Sequence, residues 1–100
     1  MIRHTVAFSL KHAQGSAGEQ SFLADARQLG AIPGVEKFER LRQVGAKNSF
    51  TFGFSMEFAD RKAYQNYNEH PAHVHFVQER WIAEVAAFLE IDYEPLDTDT

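Results

Sequence analysis

The sequence predicts a single α+β domain with its elements in the order βαββαβ. Two strands of clean period-two alternation, a capped helix between them and a proline-broken helical region behind them carry that prediction. With 100 residues, 44% of them hydrophobic and 24% charged, the chain is long enough for one packed core and too short for two. One domain is expected over residues 1–95, with 96–100 a frayed polar tail.

The first strand sets Ile2, His4, Val6, Phe8 and Leu10 against Arg3, Thr5, Ala7, Ser9 and Lys11, the alternation of a strand with one buried face. Ser16 and Glu19 have capping-box spacing, which predicts a helix from about Ala17 to Leu29. Its apolar face holds Phe22, Leu23, Ala26 and Leu29, and Gly30 is the expected stop. A second strand is expected between Val35 and Gly45, bracketed by Pro33-Gly34 and the turn Gly45-Ala46-Lys47-Asn48. Phe38, Leu41 and Val44 are nonetheless spaced nearer to helical than to strand period. The third strand aligns Phe50, Phe52, Phe54, Met56 and Phe58 on one side.

Asp60 can cap a short helix carrying Ala63, Tyr64 and Tyr67, which should end before Pro71. A new helix is expected from Ala72 to about Phe88, followed by a final strand in which Leu89, Ile91 and Tyr93 alternate. This order builds a four-stranded antiparallel sheet with helices on one face, the ferredoxin-like plan. The phenylalanine stripe should face the helices. Thr5, Ala7, Ser9, Thr51, Gly53 and Ser55 make the opposite face small and partly polar, and these residues leave open whether it meets water or a second sheet.

Composition narrows the functional classes. The net charge is −4 and the basic residues are scattered among acids, so no nucleic-acid partner is expected. The absence of cysteine excludes disulfides, thiolate nucleophiles and cysteine-bound zinc. No glycine-rich phosphate loop occurs. The opening segment lacks a continuous apolar run and no segment reaches membrane-spanning length, which sets the expectation of a cytoplasmic protein without a membrane partner.

Chemistry concentrates in Tyr67-Asn68-Glu69-His70-Pro71-Ala72-His73-Val74-His75. An imidazole titrates near neutral pH and a phenol donates a hydrogen bond, so this segment is the richest in groups suited to proton transfer. His73 falls in the first turn of the helix opened by Pro71, and His4 shares its strand face with Val6 and Phe8, so both can reach a space between sheet and helices. Each also has a structural reading: Tyr67 as a core aromatic, His70 as a helix-start cap, His4 as a buried histidine with one hydrogen bond. His12 and His75 are expected to face solvent. Spacings of three and two keep His70, His73 and His75 off a common helical face, so neither a metal site nor any other cofactor is expected.

His4-Thr5-Val6-Ala7-Phe8, the Ile32-Pro33-Gly34-Val35 turn, Met56-Glu57-Phe58, the segment from Tyr67 to Phe76 and Asp92-Tyr93 together resemble the Dabb family of stress-responsive dimeric α/β-barrel domains. The resemblance spans almost the whole chain, and its most specific part is His70-Pro71-Ala72-His73 with Tyr67 six residues ahead of His73. It implies a homodimer in which two sheets face each other to close a barrel. It also implies similarity to a plant polyketide cyclase branch, whose tyrosine and histidine fall on Tyr67 and His73 and whose pocket histidine falls on His4. Where that branch has a further pocket histidine, this chain has Phe52. The expected site is Tyr67 and His73 as the catalytic pair, with His4, Phe52 and His70 contacting a small apolar or aromatic carbonyl compound. The alternatives are a non-catalytic stress or scaffold dimer and, more distantly, a monooxygenase-like activity.

Overall fold

A computed structural model describes residues 1–97, so the last three residues of the expected frayed tail lie outside the described residues. Four strands, β1 (Ile2–Leu10), β2 (Glu36–Arg42), β3 (Phe52–Phe58) and β4 (Val85–Tyr93), form one sheet in the order β2-β3-β1-β4 with every neighbour antiparallel. The helices α1 (Ala17–Asp25), α2 (Arg61–Glu69) and α3 (Pro71–Phe76) cover one face. This is the α+β, ferredoxin-like arrangement that the element order predicts.

The covered face is the phenylalanine face. Phe8 lies opposite Phe52 on one side and Phe88 on the other, while Val6 lies between Phe54 and Glu90. Phe8, Phe52, Phe54, Met56 and Phe58 are buried against Phe22, Ala26, Leu29, Tyr67 and Phe76 from the helical layer. Burial of each such large side chain contributes about 1.5–3 kcal/mol, so this stripe is the main stabilising contact between the layers.

Local sequence fixes most helix starts. Ser16 Oγ accepts the Glu19 amide at 3.3 Å, and Glu19 reaches back to the Gly15 amide at 3.0 Å, one residue before the cap itself. Asp60 caps α2 by accepting from the Ala63 amide at 2.8 Å. His70 Nδ1 accepts the Ala72 amide at 3.1 Å, and with Pro71 at the first helical position it starts α3.

Four expectations need correction. The first helix is α-helical only to Asp25 and tightens to a 3₁₀ segment over Ala26–Ala31, which still carries Leu29 into the core and runs past Gly30. The second strand stops at Arg42 and carries a bulge between Glu36 and Glu39, with Lys37 at φ 51°. Phe38 and Leu41 then fall on opposite faces, which is why their spacing looks helical. The third strand begins at Phe52 rather than Phe50. The last helical region runs from Pro71 through a π-helical turn at Val77–Trp81 to Ile82–Glu84, and Val85–Phe88 belong to β4. Val85 and Ala87 are claimed by pairing with Leu10 and Ser9, a tertiary contact that local periodicity does not contain.

The register of β4 also turns that strand over relative to its apolar pattern. Phe88, Glu90 and Asp92 lie opposite Phe8, Val6 and His4 on the helix side. Leu89, Ile91 and Tyr93 therefore project from the open face, 50%, 41% and 51% exposed, beside Ala7, Thr5 and Arg3.

Candidate functional site

Between sheet and helices lies a cavity of about 550 Å³. Val6, Phe54 and Met56 form its sheet side, and Leu29, Phe76 and Trp81 close it from the helical layer. The π-helical turn places Val77 and Trp81, together with Ile82 just after it, on the cavity wall, and such turns recur at functional sites because they re-aim side chains without ending a helix. Exposed Ile82 and Phe88 make an apolar rim. Four polar side chains interrupt the lining: His4, Tyr67, His73 and Glu90.

Tyr67 comes from the last turns of α2, which its cap at Asp60 aims across the sheet, and it is buried against Phe58. Among the described residues its hydroxyl has no hydrogen-bond partner. Burial, reinforced by the negative charge of Glu90, raises its pKa well above the usual phenol value, so the group stays a protonated donor. The ring of His73 packs against it with centroids 4.4 Å apart. His73 Nδ1 lies 3.1 Å from the Asn68 carbonyl, and a carbonyl can only accept, so Nδ1 carries the hydrogen and Nε2 keeps the lone pair. Burial lowers the His73 pKa below its ordinary 6.5, partly opposed by the Asn68 hydrogen bond. The imidazole is thus neutral and basic at Nε2 at neutral pH.

His4 is buried on β1 and held by two groups from other elements. Its Nδ1 is 2.6 Å from Asp92 Oδ1 and 2.9 Å from the Tyr64 hydroxyl, while that hydroxyl donates to Asp92 Oδ2 at 2.8 Å. Because Asp92 accepts, Nδ1 is the protonated nitrogen and Nε2 turns towards Glu90, whose Oε1 is 4.0 Å away. Burial and the Asp92 carboxylate together raise the Tyr64 pKa, which keeps it a donor as well.

Of the residues expected at the site, His4, Tyr67 and His73 share the cavity. Phe52 does not line it: its ring packs on Phe8 and lies under the Arg42 guanidinium. His70 is occupied in capping α3 and is also absent from the lining. His75 is exposed. His12, expected in solvent, is half-buried with Nε2 2.6 Å from Glu84 Oε1. Tyr64, Glu90 and Asp92 were not among the residues expected at the site. The signal that finds the latter two is alternation: once β4 pairs with β1, Glu90 and Asp92 must share a face with Val6 and His4. Among the described residues no group of three or more His, Cys, Asp or Glu is placed to hold a metal ion, and no helix is long and apolar enough to cross a membrane.

Known proteins supply the remaining context. A Dabb family protein from Mesorhizobium loti with a ferredoxin-like fold is 60% identical, with a TM-score of 0.94 over 96% of this chain and 97% of that one. The hydroxynitrile lyase of Passiflora edulis is 19% identical, with a TM-score of 0.83 over 97% and 94% of the two chains. A dimeric ferredoxin-like protein of unknown function from Thermobifida fusca is 17% identical, with a TM-score of 0.78 over 94% and 90%. The last two share the fold alone. A search of the curated proteins finds no match. The family model for the stress responsive A/B barrel domain, Dabb, matches residues 2–95, and the chain belongs to that family.

Proposed function

We propose that the cavity binds a small apolar or aromatic carbonyl compound and that Tyr67 and His73 carry out cofactor-free acid/base chemistry on it, such as ring closure. The observation that carries this reading is the pairing of an unengaged phenol with an imidazole whose free nitrogen is Nε2, side by side in an apolar space large enough for a ligand. His73 Nε2 takes a proton from the carbon beside the carbonyl. The electron pair moves onto the carbonyl oxygen, which the Tyr67 hydroxyl stabilises by a hydrogen bond. The resulting enolate attacks a second carbonyl of the same molecule, and the imidazolium returns its proton to the new alkoxide. A hydroxynitrile lyase has the same fold, so catalytic use of that fold has precedent.

We infer as well that two copies pair through the open sheet face. Leu41, Leu89, Ile91 and Tyr93 are exposed there beside Ala7 and Gly53, too apolar a surface for a face that meets only water. The dimeric relative from Thermobifida fusca is in keeping with this pairing.

A thermal-shift screen of aliphatic and aromatic ketones tests the binding reading. A ligand at a hundredfold excess over its Kd stabilises the fold by about 2.7 kcal/mol, which a melting curve detects. Selective stabilisation by carbonyl compounds is expected. A panel in which no member shifts the melting temperature contradicts the proposal.

A further inference from the structure

Among the described residues Glu90 is the sole carboxylate lining the cavity, and nothing in the acid/base scheme uses it. It stands on the edge strand β4 opposite Val6, between Phe88 and Asp92 on the helix-facing side. Its nearest ionic contact is His4 Nε2 at 4.0 Å, beyond hydrogen-bond length, and among the described residues its carboxylate accepts no hydrogen bond. The other edge of the His4 ring is held by Asp92. One imidazole therefore sits between two carboxylates, and this corner of an otherwise apolar cavity stays net negative whether or not His4 is protonated.

A ligand body filling the space beside Val6 and Phe88 displaces water from the cavity side of Glu90, whose other side stays in solvent. A carboxylate that loses water on one side is stabilised again by a donor placed there, and it repels a second carboxylate brought close. We propose that Glu90 selects the ligand, so that the cavity takes carbonyl compounds bearing a hydroxyl donor and rejects those bearing a carboxylate. This rests on the cavity being a binding site, as proposed above, and adds the class of compound it accepts. Selection of this kind acts chiefly against the wrong ligand, through an unpaired charge, rather than by a tighter grip on the right one.

Three probes with one aryl ketone body separate the possibilities: 3-hydroxyacetophenone, acetophenone and 3-acetylbenzoate, titrated calorimetrically at neutral pH into the wild type, Glu90→Gln and Glu90→Ala. The wild type should bind the hydroxyl compound best and the carboxylate worst. Glu90→Gln should narrow the gap between acetophenone and the carboxylate about tenfold, because the repulsion goes while an acceptor remains. Glu90→Ala should in addition bring the hydroxyl compound level with acetophenone. Glu90 is largely exposed and its backbone pairing with Val6 is independent of its side chain, so both variants retain the fold, which circular dichroism checks. Equal binding of all three probes by the wild type, or a gap unchanged in Glu90→Gln, overturns the selection while leaving the cavity a binding site. Failure of every probe to bind every protein overturns the binding reading and the selection with it.

Discussion

At the scale of single residues, the site depends on two side chains whose hydrogen-bonding states follow from their surroundings. Tyr67 lines the cavity and among the described residues its hydroxyl has no hydrogen-bond partner, so the fold does not depend on that hydroxyl. Tyr67→Phe should change unfolding free energy by no more than about 0.5 kcal/mol, measured by denaturant titration. The same variant should slow turnover of any substrate found by about a hundredfold, the usual cost of losing one oxyanion donor. A large loss of stability would show instead that the hydroxyl is structural. His73 gives a pH signature. Its pKa is depressed by burial, so between that lowered value and 6.5 the unfolded chain binds more protons than the folded one. Its contribution to stability is fully present above pH 6.5 and is lost as the pH falls through the depressed value. The melting temperature should drop with acidification across that window, and His73→Gln should flatten the drop.

At the scale of elements, the junction between the last helical turn and β4 holds the cavity wall against the sheet. Glu84 there receives His12 Nε2 at 2.6 Å and Arg80 Nη2 at 3.2 Å, while its own carbonyl accepts the Lys11 amide at 2.8 Å. Arg80 Nε also lies 2.6 Å from Glu84 Oε2 as an ion pair without hydrogen-bond alignment. Glu84→Ala strips His12 and Arg80 of a shared partner and should cost about 1–2 kcal/mol of stability in urea unfolding. This junction was also the least legible part of the sequence. Val85-Ala86-Ala87-Phe88 suits either period, and only pairing with Leu10 and Ser9 across the molecule makes it a strand. The capped starts at Ser16, Asp60 and His70 were legible because each rests on residues within three positions of one another. His4, Tyr67 and His73 could be picked out by the match of their segments to the family motif and by the face each occupies. Glu90 and Asp92 could not, because their place follows from the register between β1 and β4, and Tyr64 could not, because its role depends on α2 packing its hydroxyl against His4 and Asp92.

At the scale of the whole molecule, the register of β4 has two consequences. It turns Glu90 into the cavity and Asp92 onto His4, and leaves Leu89, Ile91 and Tyr93 on the open face. Apolar residues on an unpacked sheet face call for a second layer, and a two-fold pair of identical faces supplies one. Sedimentation at micromolar concentration should give about twice the 11.4 kDa chain mass, and Leu89→Lys, which plants a charge in that face, should return it to a single mass. A monomeric wild type would contradict the pairing. The space between sheet and helices is proposed to receive a carbonyl ligand, and the two methionines of the chain test this binding. Met56 is buried and lines the cavity, whereas Met1 is exposed at the N-terminus. With the methionine methyls labelled with carbon-13, titration with acetophenone should move the Met56 resonance saturably and leave Met1 in place; a Met56 signal that stays fixed, or one that drifts in step with Met1, would contradict the account.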